Sequence, residues 1–596
     1  MRKWFIICLL LLSQQSLCQP LYEHRGVQYA THGTDFWFCL PRTLYGASEN
    51  RAGLYIMSEH NCTVTITNEL LDFTYTKYIT SCHEINTRLD TLNKIDLPWR
   101  VICFADTLEA GAPANSQLAT QPQAKAFHIT STDTICVYLF SYSMGCIDVT
   151  NLLPTDILRD EYVVQAYPDN NSKAMFQVVA TEDSTVVDIV LGDVDWIGRP
   201  KNSVVTVTLH RGMMYNVMVG KKCDKYPACC GTRPPSECNC TLALDPHMFN
   251  YDSTEAQKFL FDSMNVDLSG TYIKSHDNKR IAVFQGNQLG QVGGPINGGG
   301  DLVFEQALPI RYAGTEFVTP NLMASRYDYI QFTGLVDGTQ VTIMNTADPT
   351  LPTRTLTVDA RESDWFLMDT TEGPFYITSN HPILTSMQSC GYRFRYPPYT
   401  RGDPAMLEVV PVEWWHHGVA NGGQVYYLDD NNNAWSYYHS VHILTRTDDV
   451  AGMFFNRIPI DTMFTPIPGT PYSYAYVHYD SPLVMWTRVQ HCVENRLGSP
   501  FWVVADAEKM GEHALYSYSH IQPGQNYLEV NDVPADSLPQ DSIWCMYDPI
   551  QFHGWVERPA DSIIWDFGDG NEERYRYEDG QWVTHTYADT GGFEVK

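Results

Sequence analysis

Apolar and polar residues alternate along this chain in pairs of short segments separated by a few polar residues. Three pairs are AGLYIMSEHNCTVTITN (52–68), AMFQVVATEDSTVVDIV (174–190) and DYIQFTGLVDGTQVTIMN (328–345), and a looser copy covers 437–456. A period of two residues places the apolar side chains on one face of a β-strand. The polar residues between the segments suit tight turns. The pattern therefore predicts β-hairpins.

A second pattern recurs as well: an aromatic residue, apolar residues, a polar turn, and Ile or Leu at the start of a new strand. It occurs at 127–140, 271–286, 375–389 and 474–488. An acidic residue and a Leu/Val-Pro step follow three of these copies, as in CIDVTNLLP, GDLVFEQALP and GDPAMLEVVP. Self-similarity at long spacing is the signature of a repeated structural unit.

We therefore expect a mostly β protein built from tandem, repeated antiparallel β-sandwich-like units, with a β-propeller as the alternative. The repeated β-region would span 19–523. Its four units would cover approximately 30–155, 156–310, 311–411 and 412–523. Helical periodicity is nearly absent, and STEAQKFLFDSM (253–264) is the best short helix candidate.

The C-terminal segment combines a WDFGDG turn with a later HTY strand end and a glycine pair. Asp side chains in such a turn can bond its amides, and the aromatic residues alternate on short strands. These features fit one immunoglobulin-like β-sandwich. The residues concerned are Trp565, Asp566, Phe567, Gly568, Asp569, Gly570, His585, Thr586 and Tyr587.

This segment, 524–596, resembles the PKD domain family. Family members usually continue the last strand further than Lys596, so either the chain is truncated here or its final strand is short. The resemblance implies an extracellular spacer or stalk.

The large region before it resembles the N-terminal region of IgG-Fc-binding protein. The resemblance rests on THGTDFWFCLP near the start, followed by TVTITN and FHITSTDTICVYLF. Such regions occur in bacterial surface proteins, often with PKD domains downstream. The resemblance implies a surface or secreted binding protein, and it does not assign antibody binding to this chain.

The N-terminus predicts export. Arg2 and Lys3 precede the apolar run Trp4–Leu12, and small residues lead to a cut after Cys18. This order is typical of a secretory signal peptide covering 1–18. The apolar run is too short to span a bilayer, and no later stretch predicts a transmembrane helix. Attachment to a surface could come from sequence not present here, and the sequence leaves the kind of anchor open.

Composition and charge narrow the classes of molecule that this protein is expected to bind. The 596 residues carry a formal net charge of −30 and 13% aromatic residues. Nucleic acids and anionic lipids require clustered Lys and Arg, and no basic run occurs. The expected partner is therefore an extracellular glycoprotein or glycan and not a nucleic acid.

Five cysteines crowd one Pro- and Gly-rich segment. In an exported chain they favour a disulfide-stapled loop over a zinc site, because their spacing lacks paired CxxC motifs and a His. They are Cys223, Cys229, Cys230, Cys238 and Cys240.

Catalytic motifs are not found: the sequence lacks HExxH, GxSxG, a P-loop and a GxGxxG that leads into a helix. No cofactor is expected. The oxygens of Asp429, Asp430, Asn431 and Asn432 suit Ca²⁺, but the Gly and distal Glu of an EF-hand loop are missing, so a turn is favoured.

A dense aromatic run is the best candidate ligand-binding site. Aromatic faces can stack on sugar rings, although the same residues could equally form sandwich core. The run comprises Trp414, Trp415, Tyr426, Tyr427, Trp435, Tyr437 and Tyr438.

These observations favour a non-catalytic, exported surface protein that binds a glycoprotein or glycan through loops of its β-repeats, with the PKD-like segment as a spacer. A secreted glycan- or protein-degrading hydrolase and a structural component of a surface assembly are the alternatives. A deep pocket with two carboxylates would favour the hydrolase, and long unpaired edge strands would favour assembly.

Overall fold

The computed structural model is predominantly β. It describes residues 32–41, 50–81, 93–97, 121–143, 146–168, 174–220, 266–290, 292, 301–320, 322, 327–346, 353–369, 373–390, 403–417, 419–423, 426–428, 434–436, 438–478, 490–509, 512–517, 527–530, 533–534, 549–555, 562–576 and 582–587. The chain divides into two compact units, residues 1–521 and 522–596.

The strands of the first unit fall into four successive groups, which we call repeats 1 to 4. Repeat 1 contains β1 (His32–Cys39), β2 (Asn50–Met57), β3 (Cys62–Asn68), β4 (Phe73–Ile79), β5 (Lys94–Asp96), β6 (Ala126–Ser143) and β7 (Cys146–Asn151). Repeat 2 contains β8 (Glu161–Val163), β9 (Ala174–Ala180), β10 (Thr185–Val190), β11 (Val204–Leu209), β12 (Met214–Met218), β13 (Tyr272–Ser275), β14 (Ile281–Gly290) and β15 (Asp301–Gln306).

Repeat 3 contains β16 (Gly314–Val318), β17 (Tyr327–Gly334), β18 (Thr339–Asn345), β19 (Arg354–Val358), β20 (Ser363–Asp369), β21 (Phe375–Ser389) and β22 (Met406–Glu408). Repeat 4 contains β23 (Val419–Gly423), β24 (Tyr426–Leu428), β25 (Ala434–Ser436), β26 (Tyr438–Arg446), β27 (Met453–Phe455), β28 (Ile458–Pro459), β29 (Thr465–Pro466), β30 (Tyr472–Val477), β31 (Gln490–Asn495), β32 (Phe501–Lys509) and β33 (Glu512–Ser517).

Short 3-10 helices complete the regular structure of the described residues in this unit. They are Glu69–Leu71, His276–Asn278, Ile310–Tyr312, Val412–Trp414, Thr447–Gly452 and Asp461–Met463.

One pattern of antiparallel pairing recurs in all four repeats. In repeat 2 the two sheets have the orders β11-β10-β13-β8 and β12-β9-β14-β15. Repeat 1 has the same orders, β4-β3-β6-β1 and β5-β2-β6-β7, because its long strand β6 runs through both sheets. Repeat 3 uses β21 in the same way, and repeat 4 has β28-β27-β31-β23 and β30-β26-β32-β33. The strand orders of the described sheets do not indicate a propeller.

The predicted hairpins are wrong, although their strands are present. β2 and β3 do not pair with each other; each pairs with a different part of β6. Likewise β9 pairs with β12 and β14, whereas β10 pairs with β11 and β13. Alternation identifies a strand but not its partner, and here the short polar link carries the chain from one sheet to the other.

The polar turn predicted within the second pattern holds only in repeat 2, where His276–Asn278 separates β13 from β14. In repeats 1 and 3 the same segment is one continuous strand, β6 or β21. The copy predicted at 474–488 begins in β30, and its remainder lies outside the described residues; by pairing, β31 and β32 hold the corresponding positions in repeat 4.

Apolar residues from both sheets of repeat 2 share one core. The buried cluster takes Phe176 and Val178 from β9, and Val187 and Ile189 from β10. β10 buries every second residue, as a strand with one covered face requires. The two sheets therefore pack on each other through their apolar faces.

The last strands of the four repeats lie together. β7 packs beside β15 and β33, and β22 also packs beside β15 and β33. These contacts close a ring within the first unit. The ring brings buried acidic side chains from different repeats together, including Asp148, Glu305 and Glu408.

The second unit contains two small antiparallel sheets. Its strands are β34 (Tyr527–Val530), β35 (Val533–Pro534), β36 (Ile550–Trp555), β37 (Ser562–Asp566), β38 (Glu572–Arg576) and β39 (Trp582–His585). The sheet orders are β35-β34-β36-β39 and β37-β38. No helix among the described residues is long and apolar enough to cross a membrane. Residues 1–31 and 253–264, with the predicted signal peptide and helix, lie outside the described residues.

Candidate functional site

The aromatic candidates divide into two groups. Trp414 and Trp415 are buried, with 6% and 1% of their surface exposed. Their indole nitrogens donate to the carbonyl oxygens of Ala313 (3.3 Å) and Val410 (3.2 Å). Expecting these two rings to present faces to a ligand was wrong, because the rings fill core space and their only polar atoms are bonded internally.

The other aromatic candidates lie on or beside a small hairpin. β24 pairs with β25, and Tyr427 is opposite Trp435 while Tyr426 is opposite Ser436. Tyr438 begins β26. Tyr437 and the side chains of this group lie outside the described residues, so their role in binding stays a prediction.

Two further candidates lie outside the described residues: the cysteine cluster at 223–240 and the possible Ca²⁺ loop at 429–432. Elsewhere, no group of three or more metal-ligating side chains is found in the described ranges. None of the cysteines whose thiols are described forms a disulfide. They are Cys39, Cys62, Cys136, Cys390 and Cys492.

A small, partly enclosed cleft with space for about one water molecule lies where repeats 1 and 2 meet, and we call it the Trp37 cleft. Its lining combines aromatic, hydroxyl and charged side chains. The lining residues are Trp37, Thr67, Asn68, Glu69, Ala126, His128, Arg211 and Gly212. β1, β3 and β6 supply most of them, and the turn between β11 and β12 supplies Arg211 and Gly212.

Backbone bonds hold that turn against repeat 1. The amide of Gln123 donates to the carbonyl of Met214 (2.8 Å), and the amide of Met214 donates back to Gln123 (2.8 Å). The amide of Ala126 donates to the carbonyl of Gly212 (3.3 Å). The position of Arg211 over repeat 1 is therefore set by the backbone.

His128 is the centre of the polar network in the cleft. Its ring stacks on Trp37, with centroids 4.3 Å apart and planes 11° apart. Nε2 lies 2.7 Å from a carboxylate oxygen of Asp35, and Nδ1 lies 3.2 Å from a guanidinium nitrogen of Arg211. Because a guanidinium can only donate, Nδ1 must accept and the ring proton must sit on Nε2, where it is donated to Asp35.

The Asp35 carboxylate is stabilised in its charged form. Burial opposes ionisation, but the hydrogen bonds from His128 and Thr155 and the nearby charge of Arg211 hold the pKa of Asp35 below its usual value. The Thr155 hydroxyl donates to the second carboxylate oxygen at 2.5 Å.

Arg211 is fixed but keeps unused donors. Its guanidinium carbon lies 5.3 Å from the centre of the Trp37 ring, a cation–π distance. Its side chain bonds His128, and no carboxylate forms a salt bridge with it among the described residues. A guanidinium has five N–H donors, so the remaining donors are available on an exposed side chain.

The other repeats show what is particular about this arrangement. In repeat 3, Tyr376 and Glu316 hold the positions of His128 and Asp35, and the Tyr376 hydroxyl donates to Glu316 at 2.7 Å. Val318 stands opposite Tyr376, where repeat 1 has Trp37 opposite His128.

Repeat 2 has the same arrangement as repeat 3. Val163 stands opposite Tyr272. Burial and the neighbouring Glu161, through its charge and a hydrogen bond, raise the pKa of Tyr272. A carboxylate bonded to a ring is thus common to three repeats, whereas Trp, His and a stacked Arg occur together in repeat 1.

The sequence-based candidates did not include this site. Asp35, Trp37 and His128 lie within HGTDFWFCLP and FHITSTDT, the segments that carry the family resemblance. A comparison of these segments between repeats would have shown His where repeats 2 and 3 have Tyr. Arg211 belongs to a turn that carries no local signal.

The C-terminal motif is organised as its residue types predict. The Asp566 and Asp569 side chains accept from the amides of Gly568 and Asn571, each at 3.0 Å. Gly568 and Gly570 have φ of 74° and 91°, a backbone conformation that favours glycine.

The aromatic residues of that motif pack together. Trp565 and Phe567 are buried, and Phe567 stacks on His585 with centroids 4.1 Å apart. His585 Nε2 lies 2.7 Å from Asp569, and the Tyr587 hydroxyl donates to the carbonyl of Phe567 at 3.0 Å. Thr586 is exposed.

Comparison with known proteins identifies the class of protein. A repeated, antiparallel β protein with a polar surface cleft fits a binding protein. The family described as IgGFc binding protein matches residues 148–518, more than half of the chain. The chain belongs to this family, whose role is binding.

The other comparisons add little. No curated protein matches the sequence. Among solved structures, the chain is similar to trypsin-activated alpha-2-macroglobulin from Escherichia coli at 8% identity and a TM-score of 0.10. The alignment covers 94% of this chain and 46% of that one. At this TM-score the likeness carries no argument about fold or function.

Proposed function

We propose that this chain is an exported, non-catalytic binding protein that recognises an extracellular glycoprotein or glycan through exposed surfaces of its β-repeats. Membership of the IgGFc-binding family over 148–518 carries the proposal. The family description makes the Fc part of immunoglobulin G one candidate glycoprotein.

The Trp37 cleft is the candidate contact surface. Its lining offers donors on Arg211, the Glu69 carboxylate and the Thr67 hydroxyl, and the Asp35 carboxylate and further hydroxyl groups lie on the neighbouring sheet face. A few placed polar groups on a rigid scaffold are typical of ligand sites. The β24–β25 hairpin, with Tyr427 opposite Trp435, is a second candidate.

The remaining parts of the chain serve export and the presentation of the binding surfaces. Residues 1–18 act as a signal peptide, and the four repeats form β-sandwich-like domains with the boundaries expected from the sequence. Residues 524–596 form a PKD-like spacer; the aspartate-bonded turn and the Trp565–Phe567 packing support this assignment.

The test is a binding array of mucins, glycans and immunoglobulins probed with the purified chain. Saturable binding to at least one glycoprotein or glycan is expected. Spots should then be reprobed with Trp435→Ala and Arg211→Gln, after circular dichroism shows that each variant is folded. Binding to none of the spots contradicts the proposal.

A structural role in a surface assembly is the second candidate, because β4 lies at the end of its sheet and exposes Tyr75 (39%) and Tyr78 (60%). Sheet edges with unpaired backbone groups can pair with another chain. Sedimentation over a concentration series tests this role. Association that Tyr78→Lys abolishes would favour assembly, and a chain that stays monomeric at every concentration would exclude it.

A further inference from the structure

We propose that the Trp37 cleft recognises a single acidic substituent, a carboxylate or a sulfate ester, on a short glycan. The inference rests on the proposed binding function and names the ligand class for that site. Arg211 would bind the anionic group, and groups of the adjoining sheet face would bind sugar hydroxyls.

The state of Arg211 supports this ligand class. In this chain, which has 69 acidic and 39 basic residues, a surface cation can form an ion pair with a nearby carboxylate, as Lys201 does with Glu362. Arg211 forms no such pair among the described residues, yet Trp37 and His128 hold its guanidinium in place. A guanidinium held in one orientation can bind a carboxylate or sulfate with two parallel hydrogen bonds and loses little entropy in doing so.

The differences between the repeats point to the same site. In repeats 2 and 3 the ring that bonds the carboxylate is a Tyr, and a Val, either Val163 or Val318, stands opposite that Tyr on the neighbouring strand. Repeat 1 replaces Tyr by His and Val by Trp, and both replacements contact Arg211. The other two repeats pair the corresponding strands without a Trp or a His at these positions. Departures from a local pattern concentrate at functional sites.

Trp37 positions Arg211 and does not stack on sugar. Only 4% of Trp37 is exposed, because His128 covers one part of the ring. The sugar would instead meet the outer face of the sheet, where Asp35, Thr130, Thr65 and Thr76 form one row across four strands.

The hydroxyls of that row can bind a sugar. The Thr65 and Thr76 oxygens lie 3.3 Å apart, and Thr76 and Thr130 are exposed. Threonine hydroxyls donate and accept, and the Asp35 carboxylate accepts, so together they complement sugar hydroxyls.

Charge limits the ligand to a short glycan. The net charge of −30 repels polyanions, and Glu69 lines the same cleft. At physiological ionic strength, charges beyond about 8 Å are largely screened. A glycan with one acidic group therefore meets mainly Arg211, whereas a long sulfated polymer meets the whole acidic surface.

The experiment compares three glycans by isothermal titration at physiological salt: N-acetyllactosamine, its 6-sulfated form and its sialylated form. The full chain is tested beside Arg211→Gln, Arg211→Lys and Arg354→Gln. Arg354 is the matched control, since its guanidinium carbon also lies 5.0 Å from an aromatic ring, that of Phe366, outside the cleft.

We expect at least one acidic glycan to bind about tenfold or more tightly than the neutral form, and Arg211→Gln to abolish that preference. Arg211→Lys should retain part of it, because it keeps the charge but not the planar donors. Arg354→Gln should bind like the unaltered chain. Preference for the sulfated form alone or the sialylated form alone supports the site and identifies the acid.

Equal binding of neutral and acidic forms, or an unchanged preference in Arg211→Gln, overturns the inference. If none of the three glycans binds while the array shows other ligands, the inference fails and the proposed function stands. If the array shows no ligand at all, the proposed function fails.

Discussion

The Tyr376 hydroxyl donates to the Glu316 carboxylate at 2.7 Å, at the strand positions that His128 and Asp35 hold in the first repeat. The same Glu316 oxygen accepts from the Tyr472 hydroxyl at 2.8 Å. Tyr472 belongs to repeat 4, so one carboxylate joins two repeats. The pair common to three repeats thus serves cohesion in repeat 3 and, by our proposal, binding in repeat 1.

Glu316→Ala should destabilise the chain by about 2 kcal/mol, because the hydroxyls of Tyr376 and the buried Tyr472 lose their acceptor. Urea unfolding followed by circular dichroism measures the change. Hydrogen exchange should accelerate in β16, β21 and β30, the strands that carry the three residues.

Glu362→Ala is the matched control. Its carboxylate forms a 2.7 Å ion pair with Lys201, but 57% of the Glu362 side chain is exposed. Pairs at the surface contribute less than about 1 kcal/mol. Equal effects of the two variants would contradict a joining role for Glu316.

Many strands of the fold were predictable, because the alternation of apolar and polar residues is a local property of the sequence. β2, β3, β9, β10, β17 and β18 were all expected as strands from their period of two. Their partners were not, since pairing is decided by contacts distant in sequence. In repeat 1, both strands of the pair join through a third segment, β6, that lies about 60 or more residues further along.

The candidate site was less predictable. Trp414 and Trp415 stood out by residue type, but burial depends on what packs over them, and both are covered. The Trp37 cleft unites β1, β6 and the turn at Arg211, which lie far apart in the chain. Only a comparison between repeats could have singled out His128 from sequence.

Stability should depend on pH through Glu408. Burial raises its pKa to about 8, while Gln285 donates to one of its oxygens. Between its ordinary pKa and 8, the folded state holds a proton that the unfolded state has lost. Stability from this group is therefore present in acid and is lost as pH rises through about 8.

Glu408→Gln should flatten this dependence, because the amide keeps the shape without a titrating proton. Thermal midpoints measured from pH 5 to 9 test it, with the exposed Glu362→Gln as the control. A slope unchanged from the original chain would show that Glu408 does not carry the effect.

Acid should weaken repeat 4 through His439. This side chain is buried beside His491, with ring centroids 5.5 Å apart, and burial lowers its pKa to about 4. Between about 4 and the ordinary value of 6.5, the unfolded state binds a proton that the folded state does not. Stability therefore falls as pH drops through this window.

His439→Gln should reduce that fall. Thermal midpoints between pH 7 and 4 measure it, and His60→Gln is the control because 73% of the His60 side chain is exposed. Identical acid dependence in His439→Gln and the original chain would exclude this residue as the cause.

The second unit offers a test of the C-terminal motif by itself. The Tyr587 hydroxyl donates to the carbonyl of the buried Phe567 at 3.0 Å, and Tyr587→Phe removes that bond without changing the ring. Losing one such bond costs about 1 kcal/mol, so amides of β37 and β39 should exchange roughly fivefold faster.

Amides of β14, in the first unit, serve as the internal reference and should not change. Tyr78→Phe is the matched variant, since that ring is 60% exposed, and it should leave β37 and β39 unaltered. Unchanged exchange in Tyr587→Phe would mean that the aromatic packing of Phe567 on His585, rather than the hydroxyl, holds the end of β39.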